Sequence, residues 1–130
     1  MTQTSATSTS VGEAFARAVA AKDADALRRV LRPALDFRAM TPTKFWEASD
    51  ADTVINDIVF GKWFEPSDEI RELVTVETAQ VGERNRVGYR FRIENPDGLH
   101  LVEQQAFYET DGEQISWLRI MCAGYMPIAD

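Results

Sequence analysis

The second half of the chain alternates between apolar and polar residues, which is the pattern of β-strands with two unlike faces. Four such runs follow one another from Glu69 to Cys122, and a short turn signal separates each run from the next. The turn signals are Gly82-Glu83-Arg84-Asn85, Asn95-Pro96-Asp97-Gly98 and Asp111-Gly112. Because such turns reverse the chain within a few residues, the sequence predicts a meander of four long antiparallel strands.

The first half of the chain has helical spacing instead. A capping box at Ser10 to Glu13 precedes a first stripe of apolar residues, and Asp23 caps a second, short helix. A short alternating strand follows over residues 35–40, and a Ser49/Asp50 cap begins a third helix with Val54, Ile55, Ile58, Val59 and Trp63 inward. This order predicts an α+β domain in which three N-terminal helices pack on the concave side of a curved antiparallel sheet.

Composition limits the kinds of partner that the chain can have. Its 130 residues suit one domain, and its net charge of −7 argues against nucleic acid or an anionic membrane as a partner. No run of apolar residues is long enough to span a bilayer. The single cysteine, Cys122, and the single histidine, His100, exclude an internal disulfide, a multi-cysteine zinc site and any site built on two histidines. No metal or cofactor is therefore predicted.

The first ten residues differ from the rest in composition. Seven of them are Ser or Thr, and they have neither the basic start nor the apolar centre of a signal peptide. The sequence therefore predicts a disordered tail over residues 1–10, a single domain over residues 11–130, and a cytoplasmic protein.

A candidate ligand site follows from the strand registers. With two-residue turns at Pro96-Asp97 and Asp111-Gly112 and no bulges, Tyr89 pairs with Gln104, and Gln104 pairs with Arg119. These polar side chains form a row across a face that is otherwise mostly apolar: Phe91, Ile93, His100, Val102, Ala106, Tyr108, Ile115, Trp117 and Met121. This face is expected to lie under the helices, as an apolar cavity with a few directed polar groups, which suits a small molecule.

Other residues complete the predicted site. Its second wall is expected to come from Phe15, Arg38, Trp46 and Trp63. A buried Arg119 needs a counter-charge, which either Asp36 or a substrate carboxylate or enolate could supply. Candidate proton carriers are Asp36, Glu77 and His100, the last because an imidazole exchanges protons near neutral pH. In the alternative interpretation, the polar row only closes the core through hydrogen bonds among its own members.

Three local strings resemble the nuclear-transport-factor-2-like (NTF2-like) superfamily. They are Lys22 to Leu27 between the first helices, the hairpin at Asp111 to Ile115, and the closing Met121 to Tyr125. The resemblance covers about residues 11–128 and implies the cone-shaped fold shared with ketosteroid isomerases and SnoaL-type polyketide cyclases. It also implies a homodimer through the outer face of the sheet. Because this fold hosts several kinds of enzyme as well as plain binding modules, it does not by itself specify a reaction.

The positions that carry catalysis in those families hold other residues here. The tyrosine and the two aspartates of ketosteroid isomerases correspond to Phe15, Arg38 and Gln104, so steroid-type isomerisation is not expected. Two function hypotheses remain. The first is a SnoaL-like enzyme that cyclises, isomerises or opens the epoxide of a small hydrophobic, oxygenated ring, with Arg119, Gln104 and Tyr89 polarising the reacting oxygen. The alternative is a non-catalytic ligand-binding or dimeric assembly module.

Overall fold

Six strands form one mixed sheet, and three helices cover one of its faces. The computed structural model describes residues 2–128, with side chains from Val11 onward. The elements are α1 (Thr2–Ala20), α2 (Ala24–Val30), β1 (Leu31–Thr41), β2 (Lys44–Asp50), a π-helix (Thr53–Trp63), β3 (Glu69–Val81), β4 (Arg84–Asn95), β5 (Gly98–Asp111) and β6 (Gln114–Pro127). The strand order is β2-β1-β6-β5-β4-β3. No helix in the described part of the chain is long and apolar enough to cross a membrane.

The meander of β3 to β6 and the three covering helices are confirmed. The prediction of a wholly antiparallel sheet was wrong at one place, because β1 and β6 run parallel. Leu31, at the start of β1, pairs with Ile115, near the start of β6, so both strands set out from the same end of the sheet. At that end of the sheet, Arg32 near the start of β1 forms an ion pair with Asp111, the last residue of β5.

Strand β2 was not predicted, because its seven residues stand between a proline-containing turn and a helix cap. The turn at Thr41-Pro42 reverses the chain as a tight hairpin, in which Thr43 has a φ of 69°. Trp46 then faces the core and packs edge-on against Trp63, with 6.0 Å between the ring centroids. The predicted cap after β2 is present, since the Asp50 carboxylate accepts a hydrogen bond from the Thr53 N–H at 2.9 Å.

The helical cover differs from expectation at both of its ends. The α1 backbone is helical from Thr2, through the Ser/Thr-rich segment where the sequence predicts a disordered tail. That segment holds neither Gly nor Pro, so no residue in it breaks a helix. The side chains of residues 1–10, and with them the predicted capping contact of Ser10, lie outside the described residues. The division into tail and domain therefore stays a prediction.

The third helix is wound as a π-helix rather than an α-helix. The Phe64 N–H, which follows its last turn, donates to the Val59 carbonyl five residues back, at 2.8 Å. Gly61 fits this winding because a Cβ atom there would lie only 2.5 Å from the Asn56 carbonyl oxygen. The predicted inward residues are confirmed as buried: Val54, Ile55, Ile58, Val59 and Trp63.

The two hairpins that share β5 differ in register. Between β4 and β5 the pairing is as predicted, and Tyr89 lies opposite Gln104. Between β5 and β6 the predicted register was wrong. The turn residues are Gly112 and Glu113, one position later than expected, and Ser116 is an extra residue on β6 that forms a bulge. A one-residue bulge reverses which face every later side chain takes, so Arg119 lies opposite Phe107 rather than Gln104.

Candidate functional site in the cone interior

Two polar side chains lie next to each other on the inner face of the sheet. Tyr89 is 1% exposed and Gln104 is 2% exposed, and the Tyr89 hydroxyl donates to Gln104 Oε1 at 2.7 Å. Burial, and to a smaller extent the nearby Cys122, raises the pKa of the Tyr89 phenol well above its usual value. Tyr89 therefore keeps its proton near neutral pH and acts as a hydrogen-bond donor rather than as a base.

Aromatic rings surround this polar pair. Phe15 on α1 meets Tyr89 edge-on with 6.2 Å between ring centroids, and Phe91 lies 5.1 Å from Tyr89 on the same strand. Further along, Trp63 packs between Phe37 and Trp46, at 6.1 Å and 6.0 Å. The structure thus places four of the predicted wall residues inside the cone: Phe15, Trp46, Trp63 and Phe91. Their side chains pack against one another as part of the hydrophobic core.

The interior retains two hydrogen-bond donors that have no partner. Among the described buried side chains, the polar atoms without a partner are Gln104 Nε2 and Trp63 Nε1. A buried donor that loses its hydrogen bond to water and gains none costs about 1–3 kcal/mol. Native proteins keep few such groups, and those that persist are often found where a ligand or water completes the bonding. These two atoms therefore mark the interior as a candidate binding site.

Arg119 and Trp117 lie on the outer face, so the predicted polar row has two members rather than three. The Arg119 guanidinium lies 3.1 Å from Asp36 Oδ1 and stacks over the Trp117 ring at 4.4 Å. The predicted pairing of Arg119 with Asp36 thus exists, but outside the cone. The reason is the bulge at Ser116. It reverses the direction in which the following β6 side chains point, so Trp117 and Arg119 face outward.

Two further predicted site residues lie outside the interior. Arg38 was expected to look inward, but the alternation of β1 puts Phe37 and Ala39 inward and leaves Arg38 exposed, 3.9 Å from Glu47. Glu77 is exposed on β3, an edge strand of the sheet. The Arg38 guanidinium and the Glu77 carboxylate therefore cannot reach a ligand beside Gln104.

His100 is buried at one end of the sheet, 8% exposed, among groups that the sequence did not bring together. Its Nδ1 lies 3.1 Å from the Gly98 carbonyl, and its ring packs edge-on against Tyr125 at 5.6 Å. The Tyr125 hydroxyl donates to the Trp63 carbonyl at 2.7 Å. Burial, followed by the nearby Asp68 carboxylate, raises the pKa of Tyr125 well above its usual value. Tyr125 therefore links His100 to the backbone of Trp63.

Asp68 and Lys22 lie at this same end of the cone. The buried Asp68 carboxylate accepts from Asn95 Nδ2 at 2.9 Å and from the Glu65 N–H at 3.0 Å. Lys22 donates to the Glu65 carbonyl at 2.7 Å and to the Asp68 carbonyl, and burial lowers the pKa of its amine. Sequence reasoning missed this cluster because its members come from separate turns and loops, and no local pattern links them.

The comparison with solved structures identifies the fold. No protein-family model and no curated protein matches the sequence. An LEH-like epoxide hydrolase from M. tuberculosis superposes with a TM-score of 0.68 at 13% identity, over 90% of this chain and 83% of that chain. A candidate SnoaL-like polyketide cyclase from a Jannaschia species gives 0.64 at 15% identity, over 90% and 85%. An NTF2-like protein of unknown function from Cytophaga hutchinsonii gives 0.54 at 14% identity, over 86% of each chain.

Identities this low establish architecture rather than chemistry. The described part of this chain has helices packed against a curved, unclosed six-stranded sheet, which agrees with that architecture. The chain therefore has the α+β cone fold of the NTF2-like and SnoaL-like proteins.

Proposed function

We propose that the protein holds a small, hydrophobic, oxygenated ring compound inside the cone. The observation that carries this proposal is the buried Tyr89–Gln104 pair, whose amide N–H has no partner. An apolar aromatic interior supplies area for burial, and one directed donor supplies orientation, which are the two requirements of a small-molecule site. The likeness to an epoxide hydrolase and a candidate polyketide cyclase supports the same class of ligand.

The chemistry that this site supports is polarisation of an oxygen atom. Gln104 Nε2 can donate to a carbonyl, enolate or epoxide oxygen and stabilise negative charge that develops there. Tyr89 and Gln104 cannot accept a proton near neutral pH, so a cyclisation, isomerisation or epoxide opening needs a separate proton carrier. His100 is our candidate, because it is the predicted carrier that is buried, whereas Asp36 and Glu77 are exposed.

A non-catalytic binding module is the second candidate function, and one observation favours it. The inner-face row around Gln104 consists of Tyr89, Gln104 and Cys122 as strand partners, and no carboxylate belongs to it. Such a row can orient a ligand without transferring a proton. The two functions differ in whether His100 matters, because a binding module would lose nothing when the imidazole is replaced.

Analysis of co-purified compounds tests the proposal. The protein would be purified as wild type, as Gln104→Leu and as Gln105→Leu, then denatured and extracted for mass spectrometry. Gln105 is the matched control, because it adjoins Gln104 in sequence but bonds Arg86 and Glu103 on the outer face. We expect an oxygenated hydrophobic compound in the wild type and in Gln105→Leu, and its loss from Gln104→Leu. Equal retention by Gln104→Leu would contradict the assigned site.

Once a compound is identified, His100→Gln separates the two functions. We expect an enzyme to lose turnover in this variant while still binding the compound. Unchanged conversion would remove His100 as the proton carrier, and no conversion by the wild type would favour the binding module.

A homodimer through the outer face of the sheet is a further part of the proposal. Phe45 is 75% exposed and Met121 is 53% exposed, and with Met40 and Phe107 they line a groove of about 400 Å³. Aromatic residues, Met and Arg are the residue types that protein interfaces favour. We expect Phe45→Glu to dissociate the dimer in light scattering. A wild-type monomer at micromolar concentration would contradict it. The cytoplasmic location stays a prediction.

A further inference from the structure

Cys122 lies beside the buried polar pair of the cone interior. It is the strand partner of Gln104, and partners in an antiparallel pair point to the same face, with their Cβ atoms about 4.5–5.5 Å apart. Burial is the larger cause of the raised pKa of Tyr89 and the nearby Cys122 is the second, so the thiol is close to Tyr89 as well. The proposed function makes no use of this thiol.

A bulge in β6 gives the Cys122 sulfur a hydrogen-bond donor. β6 has one residue more than β5 between the pairs that Gln104 and Val102 form with it. At this bulge Gly124 has a φ of 90°, and its N–H donates to Cys122 Sγ at 3.4 Å. Bulges often occur next to active sites, where they redirect a side chain. The thiolate is the reacting form of cysteine, and an N–H directed at the sulfur stabilises its negative charge.

The thiol can be reached from solvent, whereas the amide beside it is shielded. Cys122 is only partly buried. Gln104 is 2% exposed, and its Nε2 has no partner in the described part of the chain. Reactive cysteines are partly exposed, whereas fully buried ones are inert. A compound that reached the sulfur of Cys122 would therefore extend towards an amide donor that still needs an acceptor.

The separation of the sulfur from this amide favours one kind of electrophile. Gln104 Nε2 lacks a partner, so Cys122 Sγ is outside its hydrogen-bond reach. Direct addition of a thiolate to a carbonyl carbon would leave the oxygen on the atom that is bonded to sulfur. Conjugate addition to an α,β-unsaturated carbonyl compound puts the oxygen two carbons further away, where a neighbouring side chain can donate to it.

We propose that Cys122 is a covalent attachment site for an α,β-unsaturated carbonyl compound, with Gln104 Nε2 as the donor to its oxygen. The thiol loses its proton to solvent, and the thiolate Sγ forms a bond to the β-carbon. The electrons of the C=C bond move to the carbonyl oxygen and give an enolate, whose charge Gln104 stabilises. The α-carbon then takes a proton from solvent, and no group leaves. The inference rests on the proposed function, since both use the Gln104 donor.

Intact-mass spectrometry with 2-cyclohexen-1-one tests the attachment. We expect a mass gain of one enone, which peptide mapping places on Cys122 and which Cys122→Ser abolishes. Methyl methanethiosulfonate is the reference reagent, because it transfers a methylthio group to the thiol with loss of methanesulfinate and forms no enolate. The ratio of the enone rate to this reference rate therefore reports stabilisation of the enolate, separately from how accessible the thiol is.

The rate ratio of the protein is compared with that of N-acetylcysteine. We expect the wild-type ratio to be at least about tenfold higher, which is the usual worth of one hydrogen bond to a charged group. Gln104→Leu should lower it to the ratio of N-acetylcysteine, and Gln105→Leu, on the outer face, should leave it unchanged. Because Gln104→Leu leaves the Tyr89 hydroxyl unpaired, the double variant with Tyr89→Phe removes both polar groups and should give the same low ratio.

Two results would overturn the inference. One is a wild-type ratio that equals that of N-acetylcysteine or survives Gln104→Leu, and the other is an adduct that maps to a residue other than Cys122. If the co-purified compound is nevertheless lost from Gln104→Leu alone, the proposed function stands without this attachment. Retention of that compound by Gln104→Leu would instead contradict the proposed function.

Discussion

The two hairpins that share β5 both begin with a two-residue turn, but only one of them has the register that the sequence predicts. Between β4 and β5, every residue from Asn85 to Asn95 has its partner without interruption. Between β5 and β6, the pairing shifts after Ser116 and again before Tyr125. The difference teaches that a tight turn determines which side chains meet only as far as the first bulge. Gln104 therefore keeps its predicted neighbour on one side and loses it on the other.

The consequence of the bulge is that the two faces of the sheet use different kinds of interaction. On the inner face, Tyr89, Phe91 and Gln104 are buried among aromatic rings. On the outer face, guanidiniums pair with carboxylates and stack on Trp117. Exposed ion pairs contribute little to stability, whereas buried apolar side chains contribute much. Substitutions on the two faces should thus differ in how much free energy of unfolding they cost and in which interactions they remove.

Truncating one aromatic residue on each face tests this contrast most strongly. Phe91→Ala removes a fully buried ring that contacts Phe64 at 5.5 Å, and we expect a loss of about 3–5 kcal/mol in the free energy of unfolding. Phe107→Ala, on the outer face, should cost about 1 kcal/mol or less. Urea denaturation of both variants measures the difference. Equal losses would mean that the outer face is packed as tightly as the inner one.

The polar pair of the inner face can be tested by a double-mutant cycle. Tyr89→Phe leaves Gln104 Oε1 without its donor, and Gln104→Leu leaves the Tyr89 hydroxyl without its acceptor. We expect each single change to cost about 1–3 kcal/mol and the double change to cost less than their sum. Additive losses in thermal or urea unfolding would show that the two groups do not stabilise each other.

The buried phenols should make the protein sensitive to high pH. Burial raises the pKa of Tyr108 to about 12 and raises those of Tyr89 and Tyr125 as well. The unfolded chain loses these protons near pH 10, whereas the folded protein retains them, so their contribution to stability is complete below pH 10. This contribution to stability is lost as the pH rises above about 10. For Tyr108 the loss continues until the pH reaches the pKa of the folded protein, about 12. Lys22 has the opposite effect, because burial lowers the pKa of its amine. The unfolded chain therefore holds this proton to a higher pH than the folded protein does, and the contribution of Lys22 to stability grows as the pH rises.

Melting temperatures measured as the pH rises above 10 check this expectation. Tyr89→Phe should show a shallower fall than the wild type, because one phenol fewer releases its proton on unfolding. An identical slope in the two proteins would mean that Tyr89 ionises in the folded state as readily as in the unfolded chain.

The smallest effect is expected from Arg119→Met on the outer face. Its side chain is 27% exposed and paired with Asp36, so the loss in stability should be about 1 kcal/mol or less. The compound that co-purifies with the wild type should be retained by this variant, because Arg119 does not reach the interior. A loss of binding comparable with that of Gln104→Leu would return Arg119 to the site and contradict the observed register.

Local chemistry was enough to predict part of this molecule. Alternation and turn residues predicted the Tyr89–Gln104 contact, and helical spacing predicted the buried face that includes Trp63. The bulge at Ser116 could not be read in this way, because Ile115 and Trp117 continue the alternation across it. The meeting of Asp68, Lys22 and Tyr125 depends on how separate loops approach in the folded protein. Such contacts are a result of tertiary packing, on which no single stretch of sequence reports.

One consequence of the π-helical winding concerns how the chain can change over time. Because a Cβ atom at position 61 would lie only 2.5 Å from the Asn56 carbonyl oxygen, a larger residue there would force the main chain of this helix to shift. Such a shift would disturb Trp63, two residues later, which packs against Phe37 and Trp46. A single glycine thus links the outline of the interior to the course of the main chain. A descendant that lost it would inherit the sheet but would have to pack this aromatic cluster differently.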